Sequence, residues 1–313
     1  VRLVVTGADG FAGRWLVREA VSRGWEVTAV TGPGGAPASA WLAGSAAEQV
    51  ESVPADFDSL AAITRVAALP ADAFVHLAGV ASGAAARRDP AAAMRLNSMA
   101  TMLLLEQVAE LSQPAKILFV SSGEVYGAGY DGPIPETAPR APVSPYAASK
   151  ALAEEGLEDL REVMDLPVVV ARPFPHTGPG QTPEYVLPAL AARLREAKAA
   201  GRAEVPAGNL DVVRDFLDVR DVVRAYLLLL EHGVAGSAYN VASGTGRHLG
   251  DCFRRLAELV GVEARPAVDA SLVRPADIPV LIGDATRLRQ ATGWEPATDF
   301  DQTLRDLLDA QAH

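Results

Sequence analysis

The amino-acid sequence predicts a doubly wound α/β fold, a parallel sheet with helices on both faces, followed by a smaller C-terminal α/β lobe. Three observations carry that prediction. Short apolar runs alternate with longer Ala-rich amphipathic segments, which is the rhythm of βαβ units. The later runs lack alternating polar positions, as strands covered on both faces do. A glycine cluster follows the first run at once and opens the first helical segment. With 313 residues, 49% hydrophobic and 21% charged, the chain can bury a sizeable core, which argues against global disorder or a coiled-coil rod. The length suits roughly two lobes.

Taken in order, Leu3-Val4-Val5 reads as the first strand and Ala12 to Ser22 as the helix after it. Val27-Thr28-Ala29-Val30 is the second strand, and Gly32 to Pro37 is a loop because glycine and proline break any regular element there. A third strand region precedes Asp56, and Ser59 to Ala68 is its helix. Ala73 to Leu77, Lys116 to Val120 and Val168 to Ala171 read as buried parallel strands. Pro90 to Leu111 and Tyr146 to Leu160 carry helical apolar stripes. After Arg172 the texture changes: Pro173, Pro175, Pro179, Pro183 and Pro188 interrupt the chain before a charged helix from Leu190 to Ala200. Phe216 to Leu230 returns to a strand-then-helix pattern. The expected organisation is a dinucleotide-type domain over 1–171, with 211–245 returning to it, and a second domain over 172–210 and 246–313.

Lys and Arg number 28 against 39 Asp and Glu, a formal net charge of -11. That balance repels polyphosphates and anionic bilayers, so neither a nucleic-acid nor a membrane partner is expected. Cys252 is the only cysteine, so no intrachain disulfide can form and a reducing cytoplasm is the expected setting. The opening run Val1 to Val5 lacks the basic flank of a signal peptide, and no stretch nears ~20 uninterrupted apolar residues. His176 and His248 stand too isolated to propose a metal, and none is expected. His76 reads as a satisfied core histidine and Cys252 as a core residue.

Thr6-Gly7-Ala8-Asp9-Gly10-Phe11-Ala12-Gly13 lies directly after the first strand. Gly7 permits a tight turn, Gly10 lets the backbone approach a pyrophosphate without a Cβ in the way, and Gly13 allows close packing of helix on strand. The helix N-terminus then offers free N–H groups and the positive end of its dipole to phosphates. A bound dinucleotide on a Rossmann-type sheet is therefore expected, with Asp9 and Phe11 among its contacts. NAD-type sites carry an acid at the end of the second strand for the ribose 2′-hydroxyl. Here that place reads Val30-Thr31-Gly32-Pro33. The absence favours NADP(H), with NAD(H) as the alternative and Arg14 as the candidate partner of a 2′-phosphate. Asp56 is either a contact of the adenine amino group or an N-cap for the helix after Asp58. Thr31, Phe57, Leu77, Ala78, Gly79 and Pro173 complete the expected cofactor contacts.

Tyr146-Ala147-Ala148-Ser149-Lys150 places a phenol and an ammonium one helical turn apart, after Pro145. Ser121-Ser122 stands at the end of the strand Lys116 to Val120, and ligands bind at the carboxyl ends of parallel strands. A lysine can lower the phenol's pKa and hold the nicotinamide ribose while a serine hydroxyl holds the substrate oxygen. Tyr146 then serves as general acid or base at a carbinol or carbonyl. The bland reading is a surface Tyr and Lys on a solvated helix.

Together with His76-Leu77-Ala78-Gly79, Ser121-Ser122-Gly123-Glu124-Val125-Tyr126-Gly127 and Pro145-Tyr146-Ala147-Ala148-Ser149-Lys150, the glycine loop resembles the extended short-chain dehydrogenase/reductases, the nucleotide-sugar epimerases, dehydratases and reductases. The resemblance implies that Ser122, four residues before Tyr126, is the catalytic hydroxyl rather than Ser121. It matches Asn97 to an Asn that positions the lysine's water network. It also implies a homodimer joined through the two helical segments with apolar stripes, which by sequence alone fit packing on the sheet equally well. In the second half, Gly178-Pro179-Gly180-Gln181, Gly208-Asn209-Leu210-Asp211, Val213 to Asp221, Arg274-Pro275-Ala276-Asp277-Ile278-Pro279 and Gly293-Trp294-Glu295-Pro296 are most similar to the reductases of GDP-linked 4-keto-6-deoxyhexoses in that family.

This similarity implies NADPH-dependent C4 reduction of a nucleotide-linked substrate, GDP-4-keto-6-deoxy-D-mannose going to GDP-D-rhamnose or its C4 epimer. Asn209 is then a substrate contact, and Arg214 and Arg274 suit a diphosphate because a guanidinium offers several donors in a fixed fork. Surface pairing with Asp215 or Asp277 is the alternative for these arginines. The chain departs from the family at Arg172-Pro173-Phe174-Pro175-His176, where Asn commonly stands in place of Pro175. Proline offers no amide, so that contact is lost or passes to His176. A 4,6-dehydratase or 4-epimerase with tightly bound NAD competes: Glu124 stands where a dehydratase base stands, and Gly123 cannot supply the acid that some dehydratases carry there and others do without. Glu124 is alternatively a brace for the Ser122 loop. A non-catalytic dinucleotide sensor would have lost Tyr146 or Lys150, and both are present.

Overall fold

The computed structural model describes residues 1–111, 115–164, 166–273 and 277–311. Six strands rise in sequence order through the first half: β1 (Arg2–Thr6), β2 (Glu26–Thr31), β3 (Val50–Pro54), β4 (Ala73–His76), β5 (Lys116–Val120) and β6 (Val168–Pro173). The helices between and after them are α1 (Phe11–Ser22), α2 (Leu60–Ala67), α3 (Gly83–Arg88), α4 (Pro90–Met94), α5 (Ala100–Ala109) and α6 (Pro145–Met164). Beyond β6 come β7 (His176–Thr177), α7 (Val186–Ala199), β8 (Glu204–Ala207), β9 (Val213–Arg214), β10 (Leu217–Asp218), α8 (Val219–His232) and β11 (Ala238–Val241). The chain closes with β12 (Arg247–His248), α9 (Leu249–Val260), β13 (Arg265–Val268), β14 (Val280–Leu281), α10 (Thr286–Thr292) and α11 (Phe300–Ala310).

The main sheet has seven strands in the order β11-β6-β5-β4-β1-β2-β3, all parallel. The order reverses beside β1, which opens the crevice where such sheets bind ligands. Register levels the carboxyl ends: Thr6 pairs with both Val30 and His76, and His76 pairs with Phe119. Alternate residues serve opposite faces. Val4, Phe74, Ile117 and Phe119 pack with α2, α5 and α6 residues, whereas Leu3, Val5, Val75 and Leu118 pack with α1 and α8 residues. Each fully buried Leu, Val or Phe contributes about 1.5–3 kcal/mol, so strands apolar on both faces belong in the middle of a three-layer stack.

The segment 211–245 divides. Strand β9 pairs with β12 and β14 in a small sheet, while α8 lies on α1 and β11 pairs with β6 at the edge of the main sheet. Helices α7, α9 and α11 build a separate core with Phe216, Phe253 and Leu304. The predicted helix Pro90 to Leu111 is interrupted by a π-helical turn over Arg95–Met99, an extra residue that turns Asn97 inward. Trp294 is buried and donates from Nε1 to the Asp221 carbonyl at 3.0 Å, and the Asp221 carboxylate accepts from the Thr298 N–H at 2.9 Å. No helix among the described residues is long and apolar enough to cross a membrane.

Candidate active site

The glycine loop is shaped by close approach. Gly7 has φ +68, and a Cβ there would lie 2.9 Å from the Ala78 nitrogen. A Cβ on Gly13 would lie 2.2 Å from the Gly7 carbonyl oxygen, so α1 meets the turn with no room for a methyl group. Gly10 caps α1 with no side-chain bond and no acid follows in the first turn, which leaves the helix N-terminus open to an anion. This cradle fits the pyrophosphate of a dinucleotide.

Thr6, at the head of the glycine motif, ties that loop to the next. Its Oγ1 accepts from the N–H groups of Leu77 and Ala78 at 3.2 and 3.1 Å and bonds His76 Nδ1 at 2.8 Å. His76 Nε2 bonds Thr101 Oγ1 at 2.9 Å, and that hydroxyl donates to the Asn97 carbonyl. The pattern puts the imidazole proton on Nε2. Burial lowers the His76 pKa to about 3, with the Lys150 charge adding to the fall, so His76 is the satisfied core histidine expected. A threonine closing an otherwise apolar strand just before the glycines was the available signal.

Asn97 is fully buried and spans two elements. Its Oδ1 accepts from Val80 N–H at 2.7 Å, and its Nδ2 donates to the Val80 carbonyl and, at 2.9 Å, to Ser149 Oγ. It thereby fixes the loop after β4, including Gly79, whose added Cβ would lie 2.2 Å from Asn97 Oδ1. Its partner Ser149 is the neighbour of Lys150 in α6.

At the end of β5, Ser122 is buried and its Oγ accepts from the Glu124 N–H at 3.2 Å, with the Tyr146 phenol as its electrostatic neighbour, while the Ser121 hydroxyl is buried without a hydrogen-bond partner among the described residues. Lys150 Nζ donates to the Val120 carbonyl at 2.8 Å and lies 5.1 Å from the Phe119 ring centroid. Burial lowers the Lys150 pKa to about 8, against an upward pull from the Glu154 carboxylate. The sequence predicts that Lys150 lowers the phenol's pKa. Burial instead pushes Tyr146 well above its ordinary value, the half-buried Glu124 carboxylate adds to the rise, and the neighbouring Ser122 hydroxyl opposes it. One of the three ammonium protons of Lys150 is donated to the Val120 carbonyl.

One turn beyond Lys150, Glu154 receives a fork from Arg172, with Nη2 at 2.6 Å, and a further bond from Arg140 at 3.1 Å. Arg172 also donates to Tyr126 Oη at 2.8 Å, and Tyr126 donates to Asn240 Oδ1. This buried network joins the Val-Tyr-Gly turn, α6, β6 and β11.

The remaining predicted residues are scattered. Phe11 stacks on the His176 ring with centroids 6.2 Å apart, and His176 Nδ1 bonds the Phe174 carbonyl at 3.0 Å. Burial lowers the His176 pKa. Pro173 ends β6 beside Val241, and Thr31 is buried at the end of β2. Asp56 does not cap α2; Ser59 does, and the exposed Asp56 instead accepts from the Asp58 N–H at 3.0 Å. Phe57 packs its ring 5.7 Å from His76. Asn209 is exposed and accepts from the Asp211 N–H at 2.9 Å. Arg214 pairs with Asp277 at 2.6 Å, whereas Asp215 is held by Ser243, Gly244 and Gly283. Arg274 lies outside the described residues.

A Rossmann-type sheet whose glycine loop and Ser122-Tyr146-Lys150 group both stand at the carboxyl ends of its strands defines an extended short-chain dehydrogenase/reductase, an enzyme that works with a nicotinamide dinucleotide. The chain belongs to the family described as GDP-mannose 4,6 dehydratase, which matches residues 4–307. It is 39% identical over 243 residues to the GDP-6-deoxy-D-mannose reductase of Pseudomonas aeruginosa, covering 76% of this chain and 79% of that one. Among solved structures, it is similar to RMD from Pseudomonas aeruginosa complexed with NADPH (TM-score 0.82, 33% identity, 99% and 98% of the two chains). A UDP-glucose 4-epimerase with UDP-glucose from Thermotoga maritima aligns with TM-score 0.85 at 27% identity, covering 100% and 99%.

Proposed function

We propose that the enzyme reduces the C4 keto group of a GDP-linked 4-keto-6-deoxyhexose, GDP-4-keto-6-deoxy-D-mannose going to GDP-D-rhamnose or its C4 epimer, with NADPH as donor and NADH as the alternative. The observation that carries the reading is a half-buried phenol, Tyr146, held in its protonated form beside Ser122, with Lys150 one turn away. A phenol held in its acid form is what carbonyl reduction requires, because the developing alkoxide must receive a proton. Ser122 shares that oxygen and Tyr146 protonates it. Lys150, an ammonium below about pH 8, holds the nicotinamide ribose. Gly7, Gly10, Gly13 and the α1 N-terminus hold the pyrophosphate, and the loop of Leu77, Ala78 and Gly79 borders the cradle. The nicotinamide, when bound, supplies the hydride.

Gly123 bears on the dehydratase alternative. A Cβ there would lie 2.9 Å from the Phe174 ring, so an acid at that position has no room, which favours the reductase. Glu124 is then a charge that keeps Tyr146 protonated. Asn209, Arg214, Arg274 and His176 form the substrate contacts in this reading, with Arg214 exchanging part of its Asp277 pairing for the diphosphate. Met99, Leu103 and Leu152 expose apolar side chains on the π-helical turn, α5 and α6, which supports a homodimer through those helices. The protein acts in the cytoplasm.

Incubation with GDP-, dTDP- and UDP-linked 4-keto-6-deoxy sugars and NADPH or NADH, with products identified by NMR, tests the proposal. GDP-D-rhamnose or its C4 epimer is the expected product. Tyr146→Phe removes turnover by about a hundredfold or more while NADPH still binds; near-normal turnover in that variant refutes the assignment.

A further inference from the structure

Strand β2 ends at Thr31 with no acidic residue at that end, yet a carboxylate stands there. The glycine loop delivers it: Asp9 Oδ1 accepts from the Gly32 N–H at 3.4 Å. A Cβ added to Gly35 would lie 2.1 Å from Asp9 Oδ2, so the carboxylate fills the turn that leaves β2. Of the guanidiniums on α1, Arg14 reaches the backbone of Asp9, and Arg18 lies four residues further along the helix. Arg14 Nε donates to the Asp9 carbonyl at 2.8 Å, and the Arg14 guanidinium lies 5.8 Å from the Trp41 ring centroid. Arg18 donates to the Trp41 carbonyl at 2.6 Å and lies over Trp15. Burial and the charge of Arg14 both lower the Arg18 pKa. Neither arginine forms an ion pair with Asp9 or another acid among the described residues.

In nicotinamide-binding sheets the 2′ oxygen of the adenosine ribose falls at the end of β2. A carboxylate there accepts from a free 2′-hydroxyl and repels a 2′-phosphate, and a guanidinium does the reverse. We infer that Asp9 replaces the missing strand-end acid from the glycine loop, and that Asp9 and Arg14 set the choice between the two dinucleotides in opposite directions. Asp9 favours NAD(H), and Arg14 favours NADP(H). The inference rests on the dinucleotide reading given above and adds to it the residues that discriminate.

The test is calorimetric titration with 5′-AMP and 2′,5′-ADP, which differ only in the 2′-phosphate, and with NADH and NADPH. Asp9→Ser is expected to raise the preference for 2′,5′-ADP over 5′-AMP about tenfold, the effect of removing one nearby like charge. Asp9→Asn, which keeps an acceptor for the Gly32 N–H, is expected to do the same, so a folding defect in one variant leaves the other to decide. Arg14→Gln is expected to lower that preference about tenfold. A preference within twofold of the wild type in both Asp9 variants overturns the inference while leaving the dinucleotide reading intact. Wild-type protein that binds neither NADH nor NADPH overturns both.

Discussion

Replacing Glu154 with Gln tests the buried charge network that supports the active site. Glu154 is 1% exposed, and its carboxylate takes both Nε and Nη2 of Arg172, itself only 6% exposed, together with Nη1 of Arg140. Arg140 is 19% exposed and keeps a fork with Glu158 at 2.7 and 2.9 Å, so it loses little. Arg172 keeps Tyr126 Oη and the Glu136 carbonyl but has no other carboxylate partner among the described residues. Breaking a buried pair from one side costs about 3–5 kcal/mol. The Gln amide oxygen still accepts one bond, which puts Glu154→Gln near the lower end, about 3 kcal/mol. At roughly 2 °C per kcal/mol for a chain of this size, the unfolding midpoint should drop by roughly 6 °C. Scanning fluorimetry measures the shift, with Arg140→Gln as the control that moves by less than about 2 °C. A drop of less than about 1 °C in Glu154→Gln would mean that Arg172 is hydrated or re-paired, and the reasoning fails.

Other outcomes follow from the same geometry. Lys150 has its pKa lowered from the ordinary 10.5 to about 8, so its ammonium is complete well below pH 8 and is lost as pH rises through that value. The kcat/KM for reduction should therefore fall on the alkaline side near pH 8, and Glu154→Gln should move that limb to lower pH; a flat profile from pH 7 to 10 refutes the role of Lys150. Gly13→Ala places a methyl group 2.2 Å from the Gly7 carbonyl oxygen. It should cost about 1–3 kcal/mol and weaken NADPH binding in a fluorescence titration, whereas Gly132→Ala, whose Cβ meets open space, should leave that binding unchanged. Leu103→Glu with Leu152→Glu puts charge on the exposed apolar face of α5 and α6, and light scattering should read a dimer for the parent and a monomer for the variant. A dimer that survives would locate the interface elsewhere.

Much of the site was legible because its chemistry sits in local patterns. Gly7, Gly10 and Gly13 are spaced by the geometry of one turn and one helix start, and Tyr146 and Lys150 by one turn of α6. The apolar runs named the strands because parallel strands are covered on both faces. What stayed hidden depends on partners far away in sequence. The Thr6–His76–Thr101 chain joins residues up to 95 positions apart, and the π-helical turn that aims Asn97 has no compositional mark. Asp56 and Ser59 compete for one cap, and only the backbone path selects Ser59.

From sequence alone came the sheet with its dinucleotide loop, the serine, phenol and ammonium at its carboxyl edge, and the likeness to nucleotide-sugar enzymes, because each rests on short-range spacing that any folded copy must respect. The protonation of that group and the charge at the end of β2 were decided in three dimensions. Burial and the Glu124 carboxylate, not Lys150, dominate Tyr146, and Asp9 reaches a strand 23 residues further along the chain. Desolvation and Coulomb energy depend on distance through space, which the order of residues does not encode.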